Sequence, residues 1–311
     1  MARHQVLAAE RVWTPEEAYR YCGELSRSHY ENFTVGSLLL PREKRRHVYA
    51  IYAYCRWVDD LGDEYRQSAG GLPVGVDEAS HRLALLDQWQ RELETCYSGA
   101  PSHPVTVALR QTIRTFDIPP QPFLKLIDAN RMDQWVSRYP TYDQLLHYCD
   151  HSANPVGHLF LYLFGYRDVQ RQRLADATCT ALQLTNFWQD VSRDKLKGRI
   201  YLPQEDMTRF GYPEGLLADG QVNDAFRQLM AFEVARTRTL FQEGMALLPL
   251  ITGAARVDVR LFTRGGLAVL DAIQAQGYNV LAKRPVLSRW RKAAIFLSSL
   301  LAVKLASLRG G

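Results

Sequence analysis

Helical periodicity runs through nearly the whole chain, and no run of segments shows the apolar and polar alternation of half-buried strands. The pattern predicts helices over 15–29, 42–64, 77–98, 103–116, 120–136, 141–165, 168–196, 221–248, 255–278 and 286–306. Loops are marked by "QSAGGLPVG" at 67–75, "SGAPSHP" at 98–104, and the stretch from "KGRIYLPQED" to "GYPEG" at 197–215. None reads as a long flexible linker and no internal repeat is visible. The expectation is an all-α fold, one helical domain over 1–311. With 311 residues, 47% of them hydrophobic, such a chain can bury a substantial core.

Several classes are disfavoured by composition. Cys22, Cys55, Cys96, Cys149 and Cys179 are scattered and show no CxxC spacing, which argues against a disulfide framework or a zinc knuckle and for a reducing, cytoplasmic setting. The first residues, "MARHQVLAAERVWTPEEAYRYC", carry charges throughout and lack the apolar core of a secretory signal. A formal charge of +5 without a compact basic and aromatic block gives no nucleic-acid signature. Near the end, the apolar run Ala293–Val303 is well short of the roughly 20 residues a membrane helix needs. With Arg289, Arg291, Lys292, Lys304 and Arg309 around it, the segment 286–311 reads as a basic amphipathic helix. It either docks on the core or makes a peripheral contact with the inner face of a membrane.

Two stretches concentrate chemistry. In "YAYCRWVDDLGDE", Arg56, Asp59 and Asp63 follow Tyr52 at +4, +7 and +11, so at about 100° per residue they share one helical face. Asp60 and Glu64 point partly away. In "QLTNFWQDVSRD", Gln183, Asn186, Asp190 and Asp194 form a second stripe. Like charges one turn apart repel, and a cation removes that cost. Oxygen donors without His or Cys suit a hard cation such as Mg2+, which commonly completes its shell with water and substrate phosphate. Lys195, Lys197 and Arg199 follow as donors for a polyanion. A lone DxxxD is usually a solvated helix face. Two of them, set among Tyr52, Tyr54 and Trp57 and among Leu184, Phe187 and Trp188, point instead to a diphosphate held through metal.

At these residues the chain resembles the squalene and phytoene synthase family of head-to-head isoprenoid synthases. The likeness covers nearly the whole sequence through "SHYENF" at 28–33, the stretch 38–64, "YCDHSANPVG" at 148–157 and the stretch 182–203. It implies the isoprenoid synthase fold with a deep central cavity, and Mg2+ held by Asp59, Asp63, Asn186, Asp190 and Asp194. It further implies substrate or cavity contacts at His29, Tyr52, Arg56, Tyr148, Gln183, Arg199 and Tyr201, with Lys283 and Arg284 as a basic pair near the end of the chain.

Within that family, "SHYENF", "SANPVG" and "NFWQD" look most like the hydroxysqualene synthase branch of bacterial hopanoid biosynthesis. Glu31 and Gln189 stand where many members carry positive charge, which points to one diphosphate rather than two. Pro155 cannot donate a hydrogen bond, so a helix kinks or starts there and leaves acceptors beside Ser152 and Asn154. These groups, or a tyrosine hydroxyl, are candidates to hold the water that ends the reaction.

The expected reaction is ionisation of presqualene diphosphate, rearrangement and water capture, giving hydroxysqualene without NADPH. Other enzymes of squalene and hopanoid synthesis are conceivable partners. A squalene or phytoene synthase joining two prenyl diphosphates remains the alternative. From other classes, a non-enzymatic membrane-surface protein leaves the aspartate stripes without a purpose. A di-iron bundle needs two ExxH motifs, and only Glu78–His81 has the spacing. His147 and His151, one turn apart, lack the context of a zinc site.

Overall fold

The local signals that start several of the helices are written in the sequence. Thr14 and Glu17 form a reciprocal cap, with the Thr14 amide donating to Glu17 Oε2 at 3.1 Å and the Glu17 amide to Thr14 Oγ1 at 3.4 Å. They open α1, Pro15–Ser28. The structure, a computed structural model, describes residues 12–28, 42–64 and 77–309. Expectations that fall on His29 and Glu31 lie outside the described residues.

By its internal contacts the chain divides into two compact units. The first runs to Trp135 and includes His158–Tyr166. It holds α1, α2 (Arg42–Asp59), α3 (Glu78–Ser98), α4 (Pro104–Phe116) and α5 (Gln121–Met132). Asp77 caps α3 by accepting from the Ser80 amide at 3.0 Å, and His103 caps α4, which has proline in its first turn. Its core is aromatic. Tyr54 stacks on Trp89 and meets Phe123 edge-on, with all three rings essentially inaccessible to solvent, and the Tyr54 hydroxyl donates to the Phe123 carbonyl at 3.1 Å. That bond satisfies the buried Tyr54 hydroxyl, while the buried indole N–H of Trp89 has no hydrogen-bond partner.

Val136–Gly157 and Arg167–Gly311 make the second unit. It contains α6 (Tyr142–Ser152) and the long α8 (Val169–Leu196), with α7 (Asn154–Leu163) linking one unit to the other along the chain. Beyond them come α9 (Gln204–Arg209), α10 (Glu214–Ala218), α11 (Asp224–Gly244), α12 (Gly253–Ala275) and α13 (Arg289–Arg309). Helix α8 packs on α6, α11 and α12. The buried Trp188 of α8 donates its indole N–H to Thr237 of α11 at 2.8 Å.

The all-α expectation is met: among the described residues there is no strand, only a single parallel bridge between Arg138 and Ile200. Boundaries differ where proline or glycine intervenes. The segment expected as one helix over 141–165 breaks at Ala153, and Pro155 takes the second position of α7, where its missing N–H costs nothing. The segment over 221–248 leaves α-geometry at Gly244 and ends in a 3-10 turn, Met245–Leu250, that accommodates Pro249. A short helix, α9, lies inside the stretch expected as loop, and a second, α10, begins at its end. The last five residues of the segment over 42–64 form a π-turn, Asp60–Glu64.

Candidate active site

The π-turn sets the geometry of the first acidic motif. Its backbone crowds α5: a β-carbon at Gly62 would lie 2.1 Å from Asn130 Oδ1 and 3.1 Å from Asn130 Cβ. Only glycine admits this approach. Asn130 then donates to Asp59 Oδ1 at 3.3 Å and to the Leu126 carbonyl at 3.1 Å, while Gln134 donates to the Gly62 carbonyl at 3.0 Å. Asp59 is exposed at the helix end, held from one side. The step of 100° per residue does not continue through 60–64, so the regular stripe beyond Asp59 is corrected. The side chain of Asp63 lies outside the described residues.

Asp60, expected to point partly away, is instead buried and ion-paired with Arg56 at 2.6 Å. Arg56 therefore has a carboxylate partner four residues on, at the first position of the π-turn. Tyr52 is half-buried, and burial raises its hydroxyl pKa, with the positive charge of Arg56 working against the rise.

The second motif lies on α8. Leu184, Thr185, Phe187, Trp188 and Val191 are buried, whereas Asn186 is exposed and Gln183, Asp190 and Asp194 are half-buried. Asp190 is already neutralised. Arg284 grips it with two hydrogen bonds, Nε to Oδ1 at 2.5 Å and Nη2 to Oδ2 at 2.8 Å, and Arg193 stands 3.6 Å away. The bond to Asp190 is the main cause holding the Arg284 pKa above its ordinary value.

Gln189 completes this clamp: its buried side-chain amide donates to the Pro285 carbonyl and accepts from Arg284 Nη2 at 3.0 Å. Gln189 itself carries no charge, and the positive charge beside it comes from Arg284. Lys283 is exposed, and of the basic pair it is Arg284 that reaches the motif.

Past the aspartates, the chain turns through Gly198, whose φ of 74° favours glycine, into a bound loop. Arg138 fastens it, donating to the Gly198 carbonyl at 2.6 Å and pairing with Glu214 at 2.5 Å, and this pairing lowers the Glu214 pKa. Lys195, expected as a donor for polyanion, is spent on the Leu217 and Ala218 carbonyls at 3.0 and 2.9 Å. Lys197 is exposed. Arg199 is half-buried and lines, with Phe187, Val191, Asp194 and Tyr201, a small cavity beside the loop.

That loop places Tyr201 flat on Phe187, centroids 3.8 Å apart and planes 6° from parallel. Tyr148 lies 6.2 Å from Phe187 and 6.0 Å from Tyr201, and Tyr139, a member that sequence reasoning missed, lies 5.6 Å from both tyrosines. All four rings are buried. Tyr139 sits in a short connection without helical periodicity, so only its place beside the loop reveals it. One turn beyond Tyr148 on α6, Ser152 Oγ is buried and has no hydrogen-bond partner. Asn154, expected to hold water, has its Oδ1 engaged by the Thr180 hydroxyl at 2.9 Å. His151 Nδ1 donates to the His147 carbonyl at 2.9 Å.

Known proteins of similar sequence and fold identify the family. The chain is 33% identical over 288 residues to a 15-cis-phytoene synthase of Synechococcus elongatus, covering 89% of this chain and 90% of that one. It is 36% identical to a 15-cis-phytoene synthase of a Synechocystis species, covering 86% and 80%. Among solved structures, it resembles squalene synthase HpnC from Alicyclobacillus acidocaldarius at 42% identity and a TM-score of 0.79, covering 88% and 98%. A dehydrosqualene synthase in complex with ligand matches at 27% identity and a TM-score of 0.81, covering 93% and 98%. The model of the squalene/phytoene synthase family matches residues 26–291, and the chain belongs to that family.

Proposed function

We propose that the protein is a hydroxysqualene synthase, ionising presqualene diphosphate, rearranging the cation and ending it with water. The observation that carries this reading is Ser152: a buried hydroxyl without a partner, one helical turn from an aromatic cluster. Such a group has free capacity to orient a water, and burying it unpaired otherwise costs about 1–3 kcal/mol. The higher identity to squalene synthase HpnC, 42% against 33% and 36% for the phytoene synthases, supports a squalene-type over a phytoene-type reaction.

Asp59, Asp63, Asn186, Asp190 and Asp194 offer oxygen donors of the kind a hard cation takes, and the clamp of Arg284 on Asp190 marks that carboxylate as one seeking positive charge. Mg2+ bound there would neutralise the negative charge that accumulates on the departing diphosphate. Arg199 and Arg284 then donate to the diphosphate, the latter by exchanging one anion for another. Tyr139, Tyr148, Phe187 and Tyr201 present π-faces that stabilise a carbocation and exclude bulk water. Ser152 positions the water whose oxygen bonds to the cation, while the leaving proton passes to solvent. Gln183 and Tyr52 line the substrate's path in this reading.

Purified protein with Mg2+ and presqualene diphosphate should yield hydroxysqualene carrying the isotope when run in oxygen-18 water. Ser152→Ala should shift product toward hydrocarbons while diphosphate release stays within a few-fold. Squalene formed from farnesyl diphosphate with NADPH would sink this reading. The second reading, a phytoene synthase, rests on the names of the two cyanobacterial relatives; phytoene formed from geranylgeranyl diphosphate would establish it.

A further inference from the structure

We infer that the outer face of α13 is a docking surface for an anionic lipid membrane. Helix α13 has two sides with different jobs. Toward α12 it is fastened: Arg264 donates to Ser298 at 2.7 Å, Arg291 pairs with Asp271 at 2.9 Å, and Ser299 is fully buried. Ile295 and Phe296 on that side are half-buried.

The opposite side is apolar and open. Trp290, Ala293, Ala294 and Leu297 recur at 0, +3, +4 and +7, the spacing of one helical stripe, and all four are exposed. Trp290 is 86% exposed, Leu297 59%, and Val286, just ahead of the helix, 63%. A buried inner side already accounts for the helix's attachment, so the outer stripe has no role in holding the fold. A contiguous exposed stripe of this kind marks an interaction surface.

Charge selects the occupant. From Val286 to Arg309 the sequence contains no Asp or Glu, but has Arg289, Arg291, Lys292, Lys304 and Arg309. Arg289 and Lys292 are exposed in the first turn of the helix, next to the end of the stripe that Trp290 marks. A second copy would meet this face with the same sign of charge, and the pairing of like charges opposes self-association. A surface of anionic headgroups over acyl chains complements both features, the cations by attraction and the Trp and Leu by shallow insertion. Tryptophan favours that boundary because its ring is apolar while its N–H stays wet. No helix among the described residues is long and apolar enough to cross a membrane, so the contact is peripheral. This inference is independent of which product the enzyme makes.

The test is co-sedimentation of the full chain with vesicles of mixed phosphatidylcholine and phosphatidylglycerol, against phosphatidylcholine alone, at low and high salt. Binding should favour the anionic vesicles and weaken with salt. Replacing Trp290 and Leu297 with serine should lower partition by roughly tenfold or more. Arg289→Gln with Lys292→Gln, which leaves the apolar stripe intact and touches only exposed side chains, should do the same. Circular dichroism confirms that both variants keep their helix content. Absence of wild-type binding at low salt, or equal partition of wild type and the charge variant, would overturn the proposal. So would a light-scattering dimer that the serine variant dissolves, if it occurs without vesicle binding.

Discussion

At Asp190 the balance of charge turns on Arg284, a residue 94 positions away in sequence. A carboxylate meant for a metal has to release its guanidinium first, and both partners are mostly shielded, with side chains 21% and 30% accessible. Two charge-assisted bonds make that release a competition rather than a formality. Arg284→Met removes the competitor while keeping a long apolar stem. We expect Mn2+, used as a probe in the absence of substrate, to bind roughly fivefold tighter, the equivalent of about 1 kcal/mol for a partly exposed pair. Calorimetry or electron paramagnetic resonance reads this directly. Unchanged or weaker binding would mean that Arg284 holds Asp190 in position instead of competing for it. The same pair explains why the motif was only partly legible. The spacing of Asn186, Asp190 and Asp194 on one helix is visible in a string of letters, whereas a partner from another element is fixed only by the folded chain. Gln189 shows the limit well: its type says nothing of the arginine that its side chain meets.

At the scale of elements, the π-turn after α2 rests on one missing methyl group. Gly62→Ala would drive a β-carbon into the short, doubly hydrogen-bonded side chain of Asn130, which has little room to give. Overpacking of this kind typically costs about 1–3 kcal/mol. We expect a lower melting temperature and a larger loss in metal binding than the fall in stability alone explains, because Asn130 also holds Asp59. A melting curve that matches wild type would show that the turn absorbs the strain. In the second unit, α9 is tied to α11 by Arg236, which bonds Asp206 at 2.7 Å and both oxygens of the fully buried Glu233. Burial is the first cause pushing the Glu233 carboxyl up from 4.5 to about 8, against the opposing pull of Arg236. A carboxyl with a raised folded pKa lends its stability fully below its unfolded value and loses it as pH climbs through the folded one. The melting temperature should therefore decline between about pH 4.5 and 8. Glu233→Gln, which cannot ionise, should flatten that decline, and parallel profiles would refute the assignment. Periodicity reveals the long helices, since their buried faces repeat. It does not reveal α9 and α10, too short to repeat anything, nor the π-turn, which depends on how closely α5 approaches.

For the molecule as a whole, the two aspartate motifs lie in separate compact units, yet the proposed chemistry asks them to serve one diphosphate. That demand has a thermodynamic signature. If Asp59 and Asp190 act on a common ligand through metal, losing either one already removes most of the site's function, and losing both costs little more. If each motif binds separately, the losses add. Asp59→Asn, Asp190→Asn and the double variant form the cycle, with the affinity for a non-ionising thio-analogue of the prenyl diphosphate measured with and without Mg2+. Asparagine keeps the size and some hydrogen bonding while removing the charge, so the fold of each unit should persist. We expect each single substitution to weaken Mg2+-dependent binding by at least roughly tenfold, and the double to fall clearly short of the product of the two. The Arg284 clamp adds an asymmetry to that cycle. Asp190→Asn leaves Arg284 with no carboxylate to hold and frees it for the diphosphate, so this variant should retain more Mg2+-independent binding than Asp59→Asn. Strict additivity with no such asymmetry would mean that the two acidic stripes work apart, and the shared-diphosphate mechanism would then have to be abandoned.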